Sequence, residues 1–187
     1  LDEFWRRHRA GSHRAFVAFY RPREFIYSLG AHLCDRPEHG DTGNIVGADV
    51  TEHLASENLP AYSTQTEYIK QDLGGYGLYY RTVMERLGLI YQWRPGAPIP
   101  FDLPTEYGRE VAESFRKAIK NTEYYKKYFD LDKSDIPIKV IKEYIREACV
   151  CQLQTQKAPD KPYIVDTLLH KGDTESAESR RMTFRMF

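Results

Sequence analysis

Apolar positions recur every three or four residues through most of this chain, and that spacing predicts a mainly helical protein. The clearest run joins six positions in the second half: Val111, Phe115, Ala118, Thr122, Tyr125 and Phe129. Thr105 stands where it can cap this helix, and Glu106 lies near the positive end of its dipole. The length of the run predicts either a pair of helices or one dimerising helix.

Further helices are predicted on both sides of this run. Pro22 suits the first position of a helix that ends near Cys34, because that position needs no backbone N–H; residues 13–20 are either strand or helix. Asp135 is expected to cap a helix that extends to about Leu153. The remaining predicted helices cover residues 1–9, 49–56, a segment from 63 or 66 to 73, residues 163–170, and a last one that begins at 173 or 174.

The middle of the chain reads as a helix, a tight turn, a short strand and a loop. Residues 76–87 form the predicted helix, and Gly88 is a suitable end for it because glycine tolerates positive φ. Residues 89–93 have the β-branched and aromatic content of a strand. Residues 94–104 hold four prolines and one glycine, which predicts a loop.

This order resembles that of winged helix-turn-helix proteins, in particular MarR-like transcription regulators, over about residues 66–120. The matching motifs are Leu87-Gly88-Leu89-Ile90, followed by Leu103, Thr105 and Gly108. The resemblance implies a helical domain with an embedded winged helix-turn-helix and a short β-wing. Residues 76–87 would then be the recognition helix.

The resemblance also implies which side chains would contact nucleic acid. Tyr80, Arg81 and Thr82 would face the DNA, where an arginine can reach a guanine edge with two hydrogen bonds. Arg94 would lie on the wing and reach a phosphate or the minor groove. Few charges stand on this surface, which also suits a winged helix used for protein interaction.

Charge gives little general support for nucleic-acid binding, because 27 basic and 27 acidic residues leave the chain neutral. The local exception is residues 6–23, which carry six arginines, two histidines and no acid. Candidate phosphate contacts there are Arg6, Arg7, Arg9 and Arg14. The alternative is a solvated face whose charges are balanced in space by acids from elsewhere.

The three cysteines, an odd number, argue against a disulfide framework and predict a reducing, cytoplasmic setting. Cys34, Cys149 and Cys151 could supply zinc ligands together with His32 or His39. However, a C-x-C pair inside a helix points its thiols roughly 200° apart. We therefore expect buried core thiols, with no metal and no cofactor.

Three regions are expected along the chain. Residues 1–60 form a helical segment with the basic stretch and a Gly/Pro-rich loop, 61–130 the winged-helix-like region, and 131–187 the C-terminal helices. The chain begins with Leu and stops within a predicted helix, which suggests a fragment of a longer intracellular protein. We see no signal peptide and no apolar run of the ~20 residues that a membrane span needs.

The leading hypothesis is a DNA-binding winged-helix domain in transcription regulation or DNA defence and processing. The first alternative is a protein-interaction module, which associates with itself or with another protein through residues 109–129. The second is an accessory domain of an enzyme whose active site lies elsewhere, because no catalytic constellation is visible in this sequence.

Overall fold

A computed structural model describes residues 1–9, 11–40, 47–130 and 134–186, and within these ranges the chain is mainly helical, as predicted. The α-helices are α1 (Asp2–His8), α2 (His13–His32), α3 (Ala48–Ser56), α4 (Arg81–Arg86), α5 (Glu106–Ile119), α6 (Ile138–Ala148), α7 (Lys161–His170) and α8 (Thr174–Arg185). The strands are β1 (Ala61–Ser63), β2 (Ile90–Tyr91), β3 (Leu103–Pro104) and β4 (Asp135–Pro137). β1 pairs with β4 and β2 with β3, both antiparallel.

Helix α2 runs without a break through Pro22, so the expected helix start at that residue is wrong. Ser12 caps the helix instead, accepting a hydrogen bond of 3.1 Å from the Ala15 amide. A proline inside a helix costs about 3 kcal/mol. Apolar side chains on both sides of the proline, among them Phe16 and Leu29, are buried in the same core, and their burial offsets that cost.

The core forms around α2, which packs against α3 and α6. Contact with α6 is close at Gly30, where a Cβ would lie 3.2 Å from the side chain of Ile145. Side chains from all three regions expected along the chain join this one apolar cluster. None of the helices described here is long and apolar enough to cross a bilayer.

The winged-helix pattern is present only in part. Residues 76–87 are helical, as a π-helical turn (Tyr76–Tyr80) followed by α4, and Gly88 has the expected positive φ of 71°. β2 and β3 form a short hairpin ahead of α5, which Thr105 caps by accepting from the Gly108 amide at 2.9 Å. The winged helix-turn-helix as a whole stays a prediction.

The helix expected over residues 66–73, ahead of the turn, is wrong, because the backbone there makes turns and bends. The carbonyls of Ile69 and Gln71 accept hydrogen bonds from the Arg21 guanidinium of α2. Contact with a distant side chain therefore takes the place of helical hydrogen bonds in this segment.

The long helix expected up to residue 129 ends earlier. α5 stops at Ile119, and a π-helical turn (Tyr124–Tyr128) follows. The apolar side of α5 packs against α1, α6 and α7, and Tyr124 is buried. Residues 109–129 therefore do not form one continuous helix.

The C-terminal helices agree with the sequence more closely. Asp173 caps α8, accepting from the Ser176 amide at 2.9 Å. α6 differs at both ends: Asp135 lies in strand β4 and does not cap the helix, and the helix stops at Ala148. The early stop at Ala148 decides the geometry of the cysteines that follow.

Candidate metal centre

Three cysteines and one histidine from distant parts of the sequence meet beyond the C-terminal ends of α2 and α6. The ligand atoms of Cys34, His39, Cys149 and Cys151 all lie within 4.8 Å of one another. The Cys34 and Cys151 Sγ atoms are 3.9 Å apart, and Cys149 Sγ is 3.2 Å from His39 Nδ1. Around a tetrahedral zinc ion, such ligand atoms would stand about 3.5–3.8 Å apart. The four side chains are therefore arranged as a Cys₃His set.

The two thiols of the C-x-C pair converge because helix α6 ends at Ala148, just before the pair. Cys149 has extended backbone angles (φ −64°, ψ 139°), and a 3₁₀ turn (Val150–Gln154) begins at the next residue. The change of backbone at Cys149 releases the pair from the angular spacing of a continuous α-helix. Cys149 and Cys151 are buried, whereas Val150 is 60% exposed. The expectation of no metal site assumed a continuous helix here, and that assumption is wrong.

The other two ligands lie in the segment that leaves α2. Cys34 follows the helix end directly, and a turn closed by the His39 amide and the Arg36 carbonyl, at 3.0 Å, returns the histidine toward the thiols. His32, the other histidine considered, is outside the group because it still belongs to α2.

Polar contacts fasten this segment to the end of α6. Arg146 donates to both carboxylate oxygens of Asp35, at 3.1 and 2.6 Å. Gln154 donates to the Glu38 carbonyl at 3.0 Å. These bonds hold the segments that carry the ligands side by side, as the outer contacts of metal sites commonly do.

Burial disfavours the charged form of the cysteine side chains. Burial raises the pKa of Cys149 to about 12, and burial also raises the pKa of Cys151. A bound divalent cation reverses this preference, because it stabilises the thiolate directly. His39 Nε2 is buried and has no hydrogen-bond partner among the described residues.

Arg81, the arginine expected to read a base, is engaged inside the protein. Its guanidinium donates two hydrogen bonds, of 2.6 and 2.7 Å, to the carboxylate of Asp102. Asp102 is 3% exposed and also accepts from the Tyr76 hydroxyl at 2.5 Å and the Trp93 amide at 2.6 Å. Arg81 therefore joins α4 to the loop between β2 and β3.

Three more of the candidate arginines are paired. Arg94 bonds Glu85 at 3.2 Å. Arg6 bonds Glu113 at 3.3 Å, and Arg7 bonds Glu3 and Asp130. For Arg6 and Arg7, the structure therefore agrees with the alternative interpretation, in which acids from elsewhere balance the basic stretch.

Four candidates remain on the surface. Arg9 and Arg14 are exposed, and neither side chain has a hydrogen bond or ion pair within the described chain. Tyr80 and Thr82 are exposed on either side of Arg81. The structure does not gather these residues with the metal ligands into a single site.

Asp102 is an important residue of the fold that was not predicted from the sequence. Asp102 follows an unremarkable Pro-Phe pair in the loop, and no local signal marks it as the partner of Arg81. His39 was visible as a candidate ligand, but its spacing from Cys34 fits no common zinc motif. No family model, curated protein or solved structure matches this chain, so its function is inferred from the geometry of its own residues.

Proposed function

We propose that this protein is a zinc-binding domain, in which one Zn²⁺ bound by Cys34, His39, Cys149 and Cys151 fastens the ends of α2 and α6 together. The observation that carries the proposal is the convergence of four soft ligand atoms to within 4.8 Å. Residues 34 and 151 are 117 positions apart in the chain. A metal bound between them therefore closes a long loop of the fold.

The ligand set favours a structural role for the ion. Four protein ligands complete a tetrahedral zinc site, whereas catalytic zinc sites keep one position open for water or substrate. Thiolate and imidazole ligands favour zinc over Mg²⁺ or Ca²⁺, which prefer oxygen. Zinc at a free concentration 1,000 times its Kd would stabilise the folded domain by about 4 kcal/mol.

Metal analysis of the purified protein tests the proposal. We expect one zinc per chain, and visible absorption of a tetrahedral thiolate site when Co²⁺ replaces zinc. C149S and C151S should each lose most of the metal. Val150→Ser is the matched control, because it makes a polar change between these cysteines at an exposed position and should keep full occupancy.

Unfolding experiments provide a second readout. Wild-type protein and V150S should unfold at lower denaturant concentration after chelation, and C151S should be insensitive to the chelator. Wild-type protein that binds neither Zn²⁺ nor Co²⁺ and unfolds identically with and without chelator would overturn the proposal.

A second candidate function is association with nucleic acid through the N-terminal cations. Its support is that Arg9 and Arg14 are exposed and have no partner in the described parts of the chain. Under the winged-helix interpretation, Tyr80 and Thr82 would add contacts. Two phosphate contacts predict about a 12-fold loss of affinity when salt rises from ~50 to ~200 mM.

Fluorescence anisotropy with a labelled DNA duplex tests this candidate. The double variant R9Q/R14Q should remove most of the salt dependence, whereas R185Q, an exposed change at the other end of the chain, should not. Absence of wild-type binding at ~50 mM salt would contradict nucleic-acid association, since phosphate contacts strengthen as salt falls.

A further inference from the structure

A cleft of about 370 Å³ lies between α2, α5 and α6, apart from the metal centre. Phe19 and Tyr27 line it from α2, Phe115 and Ile119 from α5, and Tyr144 from α6. None of the four metal ligands contributes to its walls. Protein interiors hold few voids larger than a water molecule, and small-molecule sites begin at about 300 Å³. The size of this cleft is therefore that of a ligand site.

The charged side chains around the cleft already have partners within the protein. Arg116 is bonded to Asp2, Glu3 and Glu113. Arg23 lies over the ring of Phe19, with 3.5 Å between the guanidinium carbon and the ring centroid. Its guanidinium also donates to backbone carbonyls. A ligand in the cleft would meet mainly apolar rings, because the charged side chains are engaged within the protein, and this favours a neutral compound.

Glu24, the remaining acid at the cleft, is also fully engaged. Its two carboxylate oxygens accept from the hydroxyls of Tyr20 and Tyr68 and from the amides of Gly75 and Tyr76. These donors satisfy the carboxylate without any ligand. The polar group that could select a ligand must therefore be sought elsewhere in the walls.

Tyr144 supplies that group. Its side chain lines the cleft and is only 5% exposed, yet its hydroxyl has no hydrogen-bond partner among the described residues. The hydroxyl is therefore available to a ligand in the cleft. A tyrosine hydroxyl of ordinary pKa, about 10, is a neutral donor at pH 7, and burial raises the pKa of Tyr144 further.

We propose that the cleft is a binding site for a neutral, flat aromatic compound with one hydrogen-bond acceptor, such as a carbonyl oxygen, which accepts from the Tyr144 hydroxyl. The Phe115 and Tyr27 rings in the walls provide apolar surface against which an aromatic ring can pack. This inference is independent of the zinc proposal, because the walls and the donor belong to other residues.

Fluorescence titration with Nile red, a neutral planar dye with one carbonyl, tests the site in the metal-loaded protein. We expect saturable binding with one dye per chain and a blue-shifted emission. A112W fills the cleft from α5 and should weaken binding at least tenfold. Ala97→Trp, the matched control, places the same side chain on the exposed loop and should bind normally.

Y144F provides a variant that keeps the shape of the core. A net hydrogen bond contributes about 0.5–1.5 kcal/mol, which predicts binding weakened about 2- to 12-fold. Circular dichroism and thermal unfolding establish that each variant is folded. Binding that does not saturate, equal affinity in folded A112W, or unchanged affinity in Y144F would each overturn the proposal.

Discussion

Replacing Asp102 by asparagine tests whether Arg81 is a structural residue or a surface contact. The substitution keeps the shape of the side chain and removes its charge. Asp102 is 3% exposed and the Arg81 side chain 26% exposed, so most of this ion pair is shielded from water. D102N would leave the guanidinium without its counter-ion, and the amide would accept fewer of the four hydrogen bonds that reach the carboxylate.

Removal of one partner from a buried ion pair costs about 3–5 kcal/mol. Partial exposure of Arg81 places the expected loss near the lower end, at about 3 kcal/mol. In a domain of this length that corresponds to a fall in Tm of about 6–12 °C. Urea unfolding at pH 7 measures the free energy directly. Glu85→Gln is the matched control, because it breaks an exposed carboxylate–arginine pair worth at most about 1 kcal/mol.

The pH dependence gives a second check on the same carboxylate. Burial pushes the pKa of Asp102 upward, but hydrogen bonds from Arg81, Tyr76 and the Trp93 amide outweigh burial and hold it below its ordinary value. A lowered folded-state pKa contributes stability that is fully present above about pH 4 and is lost as the pH falls through the folded-state pKa. The difference in the free energy of unfolding between wild type and D102N should therefore become smaller below pH 4. A structural role for Arg81 would be refuted if the two unfolding free energies differ by less than about 0.5 kcal/mol at pH 7. It would also be refuted if their difference is the same below pH 4 as at pH 7.

Three further predictions concern the local signals and the metal. Thr105→Ala should cost about 1 kcal/mol in urea unfolding through loss of the cap on the Gly108 amide, and an unchanged stability would contradict that role. Gly88→Ala should cost about 1–2 kcal/mol, because an alanine is strained at φ 71°; a neutral result would mean that the turn can rearrange. Chelation should raise amide hydrogen exchange in residues 34–39 and 149–154 and leave α5 unchanged, and a uniform increase would argue against a local metal site.

Much of the helical framework could be predicted from the sequence, since its signals are local. Apolar spacing located the start of α5, and Thr105 and Asp173 cap their helices as expected. Gly88 ends its segment with positive φ. Such signals act within one or two turns of backbone, so they do not depend on what the rest of the chain does.

Helix boundaries were less predictable wherever tertiary contacts compete with local preference. Pro22 lies inside α2 because the aromatic and aliphatic side chains on both sides of it share one core. Residues 66–73 lose their expected helix because Arg21 takes up carbonyls of that segment. In both cases the energy of contacts made across the fold exceeds the local propensity.

The sequence by itself determined that this chain is built of helices, where most of them begin, and that three cysteines and several histidines were available as ligands. Only the tertiary structure decided what those residues do. It placed Cys34 beside Cys151 across 117 positions, and it paired Arg81 with Asp102 inside the protein. Periodicity encodes neighbours three or four residues apart, whereas metal ligands and buried ion pairs depend on distances in space that no local pattern records.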